Sequence, residues 1–155
     1  MPCSDITEVI ELQLDHDDRL TAYALTKRTC GAEIGRASLL ADLLVDLGAH
    51  DLATLTGEEV AAHYGAQPVS AEFLAAKHLV AVRQAARVYL GHAAGAAGDP
   101  CALASVTAHP DGITVRAALR IDLLTGEIEA CAKCCGARRQ PKAGGNARLP
   151  VVAPS

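Results

Sequence analysis

From Glu8 to Leu14 the apolar residues Ile10, Leu12 and Leu14 alternate with Glu11 and Gln13, the two-residue period of a half-buried strand. Asp15-His16-Asp17-Asp18 makes a polar turn, and Leu20 to Thr29 predicts the returning strand, with Tyr23, Leu25 and Lys27 on one side. Gly31 frees the backbone after Cys30. Beyond it Ile34, Leu40, Leu43, Leu44 and Leu47 recur at three- and four-residue steps, which predicts a helix over about 33–47 stopped by Gly48. Thr56-Gly57-Glu58-Glu59 has capping-box form and predicts a short helix ending near Tyr64-Gly65. Pro68-Val69-Ser70 leads into a long helix over about 71–90, with Ser70 as its cap. Its apolar face carries Leu74, His78, Ala81, Val82, Ala85, Val88 and Tyr89, and Gly91 ends it.

Residues 92–100 are small and form a linker. Ala102 to Ala108 and Ile113 to Asp122 then flank the hairpin signal Pro110-Asp111-Gly112, and Thr125-Gly126 turns the chain into a third strand, Glu127 to Lys133. Three strands are too few for a stable independent core, so this meander is expected to pack on the first domain, where it could extend the sheet. The order of elements predicts an α+β fold, an antiparallel sheet with helices packed on one face, plus a carboxy-terminal β-meander. The expected organisation is a first domain over 1–91, the linker 92–100, the meander 101–136, and a basic, Pro- and Gly-rich disordered tail over 137–155.

Composition narrows the function. Of 155 residues half are hydrophobic but only 3% are aromatic, so the core must be built from Ala, Leu and Val. Stacking platforms for bases are almost absent, and a net charge of −4 leaves no electrostatic footprint for nucleic acid. The start of the chain is polar at once, unlike a signal peptide, and no apolar run approaches the ~20 residues of a membrane span. A cytoplasmic protein is expected. In that setting six cysteines (Cys3, Cys30, Cys101, Cys131, Cys134, Cys135) favour metal or thiol chemistry over a disulfide framework. Cys101 has no ligand-like spacing and is equally well read as a small buried hydrophobe. The acidic turn at Asp15–Asp18 lacks the glycine and distal glutamate of a calcium loop and reads as solvated.

Two stretches carry the chemistry. Cys3-Ser4-Asp5 opens the first strand and Lys27-Arg28-Thr29-Cys30-Gly31 closes the second, so the open end of the hairpin holds Cys3 and Cys30 together. A thiol at a helix amino terminus has a lowered pKa, favouring the thiolate that iron, zinc and sulfur transfer all need. Asp5, two residues from Cys3, lies on the same side of an extended chain. Farther on, Cys131-Ala132-Lys133-Cys134-Cys135 has the C-x-x-C spacing that lets two thiols share a metal or form a redox pair. His78 could supply a nitrogen, although a histidine on an apolar helix face is ordinarily a packed core residue.

Taken together, Cys3-Ser4-Asp5, Thr29-Cys30-Gly31, the small-residue stretch Ala32 to Leu40 and Pro68-Val69 resemble the U-type iron–sulfur scaffold family (IscU and the amino-terminal domain of NifU), in order and spacing over roughly residues 2–90. The resemblance implies a SufE/NifU-like α+β fold and a non-enzymatic role in iron–sulfur cluster assembly. It implies Cys3, Asp5 and Cys30 as ligands for iron or a [2Fe-2S] cluster, with a cysteine desulfurase and acceptor apoproteins as partners. Where the third family cysteine stands, this chain reads Glu72-Phe73-Leu74. Cys131, Cys134 or Cys135 could replace that ligand, within one chain or across a homodimer, or could hold zinc on their own. Two other classes remain: a cluster-free or zinc-binding regulatory or adaptor module of the same fold, and a thiol enzyme using Cys131 and Cys134 as a redox pair.

Overall fold

The computed structural model describes residues 7–27, 36–65, 67–120 and 122–128. Strands β1 (Thr7–Leu14) and β2 (Leu20–Lys27) form the first hairpin, and β3 (Cys101–His109) and β4 (Gly112–Arg120) the second. Between them run α1 (Ala41–Leu44), α2 (Ala49–Thr54), α3 (Gly57–Tyr64) and α4 (Val69–Tyr89). Residues 122–128 form a further helix, α5. The four strands make one antiparallel sheet in the order β2-β1-β4-β3, so β1 and β4, far apart in sequence, pair at its centre. The fold is α+β, and one sheet runs across the linker at 92–100.

The alternation in β1 does what a half-buried strand requires. Ile10, Leu12 and Leu14 are buried, while Gln13 faces solvent. Opposite them on the same face, Leu25 pairs with Ile10 and Tyr23 with Leu12, while β4 contributes Val115, Ala117 and Leu119. Helix α4 lies across this face and packs against β1, β3, β4, α2 and α3. Being covered on more than one side, it buries a run from Ala76 to Val82, wider than the stripe its periodicity predicts. The cap of α3 is as expected: the Thr56 hydroxyl accepts from Glu59 N–H, and the Glu59 carboxylate accepts from Thr56 N–H at 2.8 Å.

Three expectations are corrected. Helix α4 already begins at Val69 behind Pro68, so Ser70 lies inside it and does not cap it. The described part of the helix predicted over about 33–47 shrinks to the single turn α1, and Gly48 does not stop a helix but precedes α2, with extended backbone. The reason lies in the edge of β2. Leu25 N–H donates to Ala37 C=O (2.8 Å), Leu20 N–H donates to Leu47 C=O (2.9 Å), and Asp46 N–H donates to Leu20 C=O (2.8 Å). Residues 37–48 thus spend their backbone groups capping the sheet, which a continuous helix cannot do. The third strand of the meander is also not found at its predicted start. Thr125, Gly126 and Glu127 are helical within α5, whose Leu124 and Ile128 are buried one turn apart. Gly126 sits where an added Cβ would meet nothing within 4 Å, so glycine here is an exposed helical position rather than a turn.

Candidate functional site

The register of β1 and β2 pairs Glu8 with Lys27, so β1, which the Cys3 motif precedes in sequence, begins beside the end of β2, which the Cys30 motif follows in sequence. Cys3, Asp5 and Cys30 themselves lie outside the described residues, as do Cys131, Cys134 and Cys135. What the structure gives is the frame around the open end of the hairpin.

That frame contains charged and polar groups in the interior. The Glu8 carboxylate, 1% exposed, forms an ion pair with the Lys77 ammonium of α4, also 1% exposed. Glu8 shares the inward face of β1 with Ile10 and Leu12, and Lys77 lies under the sheet, so the pair ties the open end of the hairpin to the long helix. The next residue, His78, is fully buried, and its Nδ1 lies 3.0 Å from the Tyr23 hydroxyl. That hydroxyl also accepts from Leu40 N–H at 2.6 Å, so it bridges the residue preceding α1 and the histidine of α4. Burial pushes the Tyr23 phenol well above its ordinary pKa, keeping it a donor. Tyr23 also accepts at its backbone carbonyl from the Ser38 hydroxyl at 2.6 Å. One residue thereby holds β2, the segment entering α1, and α4 together. His78 is the packed core histidine of the plain expectation.

Beside this frame is a half-open cavity of about 150 Å³ between residues 39–40, α3 and the start of α4, lined by Leu39, Leu40, Val60, Leu79, Tyr64 and Glu72 among others. Its walls are almost wholly apolar; Glu72, only 8% exposed, brings a carboxylate to them. Burial, followed by the charge of Asp42, pushes the Tyr64 phenol up. Glu72 occupies the stretch where the resemblance calls for a thiol. Glu8, Lys77, Tyr64 and Glu72 were not singled out from the sequence. The available signal was parity: Glu8 falls in the same two-residue register as Ile10, Leu12 and Leu14, which places a charge on the inward face.

The other candidates resolve simply. Cys101 is buried, and its thiol is pushed up to about 12 by burial and then by Asp99, so it is a neutral core residue and no nucleophile. In the acidic turn, Asp15 Oδ1 accepts from Asp17 N–H (2.9 Å) and Arg19 N–H (3.0 Å), and the Tyr89 hydroxyl donates to Asp18 Oδ1 (2.6 Å). These bonds give the carboxylates a structural role. Among the described residues, no group of three or more His, Cys, Asp or Glu could hold a metal, and no helix is long and apolar enough to cross a membrane. In comparisons with known proteins the chain matches no family model, no curated protein and no solved structure.

Proposed function

We propose that this protein is a divergent U-type scaffold-like protein that binds iron or a [2Fe-2S] cluster as cargo and passes it to acceptor apoproteins, without catalysing a reaction itself. The observation that supports the reading is the Glu8–Lys27 register, which sets the start of β1 beside the end of β2, the two points next in sequence to Cys3-Ser4-Asp5 and Cys30-Gly31. Two thiolates and a carboxylate suit iron, and a full shell takes four donors. One of Cys131, Cys134 and Cys135 supplies the missing thiol in this proposal, within one chain or across a homodimer, with Asp5 tuning release. A cysteine desulfurase supplies sulfur.

A second reading, an adaptor of the same fold without a cluster, draws its support from His78. It is fully buried beside Tyr23 in the core, and in this reading it is a packing residue rather than a ligand.

The deciding experiment is anaerobic reconstitution with iron and a sulfur donor, read by visible absorption and by iron, sulfide and zinc analysis. Wild type, Cys3→Ala/Cys30→Ala and a Cys131/Cys134/Cys135 triple alanine variant are compared. The scaffold reading expects colour in wild type, lost in the double variant and weakened in the triple. Colourless wild-type protein overturns it and leaves the adaptor.

A further inference from the structure

The two edges of the sheet are treated differently. The edge of β2 is capped by residues 37–48. The edge of β3 has one such bond, Leu103 N–H to Gly95 C=O at 2.9 Å, and none beyond it among the described residues. A bulge at Ala104 shifts the register between Leu103 and Ser105, after which the strand runs regularly to its two-residue turn at Pro110-Asp111. In a hairpin of that kind His109 and Gly112 exchange hydrogen bonds, so alternate residues back along the strand turn their backbone groups outward. Those residues are Val106 and Ala108.

The side chains agree. Leu103 is 39% and Val106 48% exposed, although both stand on the face that the helices cover elsewhere: they pair with fully buried Ala117 and Val115. Among the described residues the core is thus left open along β3. Cys101 to His109 contains no Lys, Arg, Asp, Glu or Pro, the residues that ordinarily protect an exposed edge.

We infer that β3 pairs antiparallel with β3 of a second copy, joining two sheets into one across a twofold axis at Val106. The strand is self-complementary about that point. Val106 faces its own copy on the apolar side, Ser105 faces Thr107 on the polar side in both directions, and Ala104 faces Ala108. Such pairs are favourable cross-strand neighbours, and no like charges meet, although each chain carries a net charge of −4. Neutrality along this one strand is what lets two acidic chains approach there.

The test is sedimentation equilibrium of the full chain under reducing conditions, with amide hydrogen exchange at low and high concentration. The expected result is a dimer in the micromolar range, with Val106 and Ala108 amides protected only at high concentration. Val106→Lys sets two ammonium groups face to face on the axis and should raise the dissociation constant roughly tenfold or more. Gln13→Lys, on the exposed outer face, should leave the dimer unchanged. A monomer at all concentrations overturns the inference, as does a dimer that survives Val106→Lys. Val106 and Ala108 amides whose protection does not depend on concentration overturn it too, a result that needs no variant to fold.

Discussion

The Glu8–Lys77 pair is a charged contact placed where the sequence pattern asks for an aliphatic one. Both groups are almost fully removed from water, so each depends on the other far more than a surface pair would. Lys77→Met takes the cation away from a buried carboxylate and should cost about 3–5 kcal/mol in urea unfolding, as should Glu8→Leu, which takes the carboxylate away from a buried ammonium. The double variant Glu8→Leu/Lys77→Met should return to within about 1–2 kcal/mol of wild type, because an apolar pair fills the same space without the desolvation penalty. A double variant that loses the sum of the two single losses would show that the two groups act independently. Neither residue was legible as a pair, because a strand's parity gives the side on which a group stands but not its partner across the core. His78 was legible as a core residue from its helix face, whereas its bond to Tyr23 was not.

At the level of elements, local signals decided the outcome wherever the chain satisfies its own backbone. Both hairpins, α3 and α4 are where the alternation, the capping box and the helical steps put them, within a few residues at each end. The segment before α2 is different. Its leucines repeat at helical steps, but Ala37, Asp46 and Leu47 bond the edge of β2, and that demand comes from 20 residues or so earlier in the chain. The Thr125-Gly126 pair misleads for a similar reason: α5 is held by burial of Leu124 and Ile128 and by Glu127, which accepts from Arg83 and Gln84 of α4. Where the cap is local its energy should be local as well. Thr56→Ala removes the acceptor for Glu59 N–H and should lower stability by about 1 kcal/mol in urea denaturation. No change would mean that α3 is held by packing alone.

Considered as a whole, the molecule depends on the junction between its two hairpins. Gly112 starts β4 with φ of +147°, and a Cβ there would stand 1.9 Å from the carbonyl oxygen of Leu14. His16 Nε2 donates to the Pro110 carbonyl at 2.8 Å across the same junction. Gly112→Ala should therefore destabilise the protein by about 3 kcal/mol or more, since neither backbone can yield. Hydrogen exchange should show both hairpins opening together; separate opening of β3–β4 would mean that the sheet is two units. The α+β class, and the possibility that the second hairpin extends the first sheet, could be argued from the order and number of strands. The placement of β4 beside β1 could not, because nothing local in either strand encodes a contact so distant. Of the candidate site the sequence offered two cysteine-bearing segments flanking the first hairpin, and Cys3, Asp5 and Cys30 themselves stand outside the described residues.

That central pairing also sets a timetable. β4 begins roughly a hundred residues after β1 ends, so at ribosomal rates of 5–20 residues per second the nascent first hairpin waits on the order of ten seconds for its neighbour. Throughout that interval β1 has β2 on one flank and a bare flank on the other. Helix α4 is made in the meantime, before the strand that will lie beneath it. Birth at the ribosome therefore leaves the middle of the sheet open until its last strand, β4, has been made.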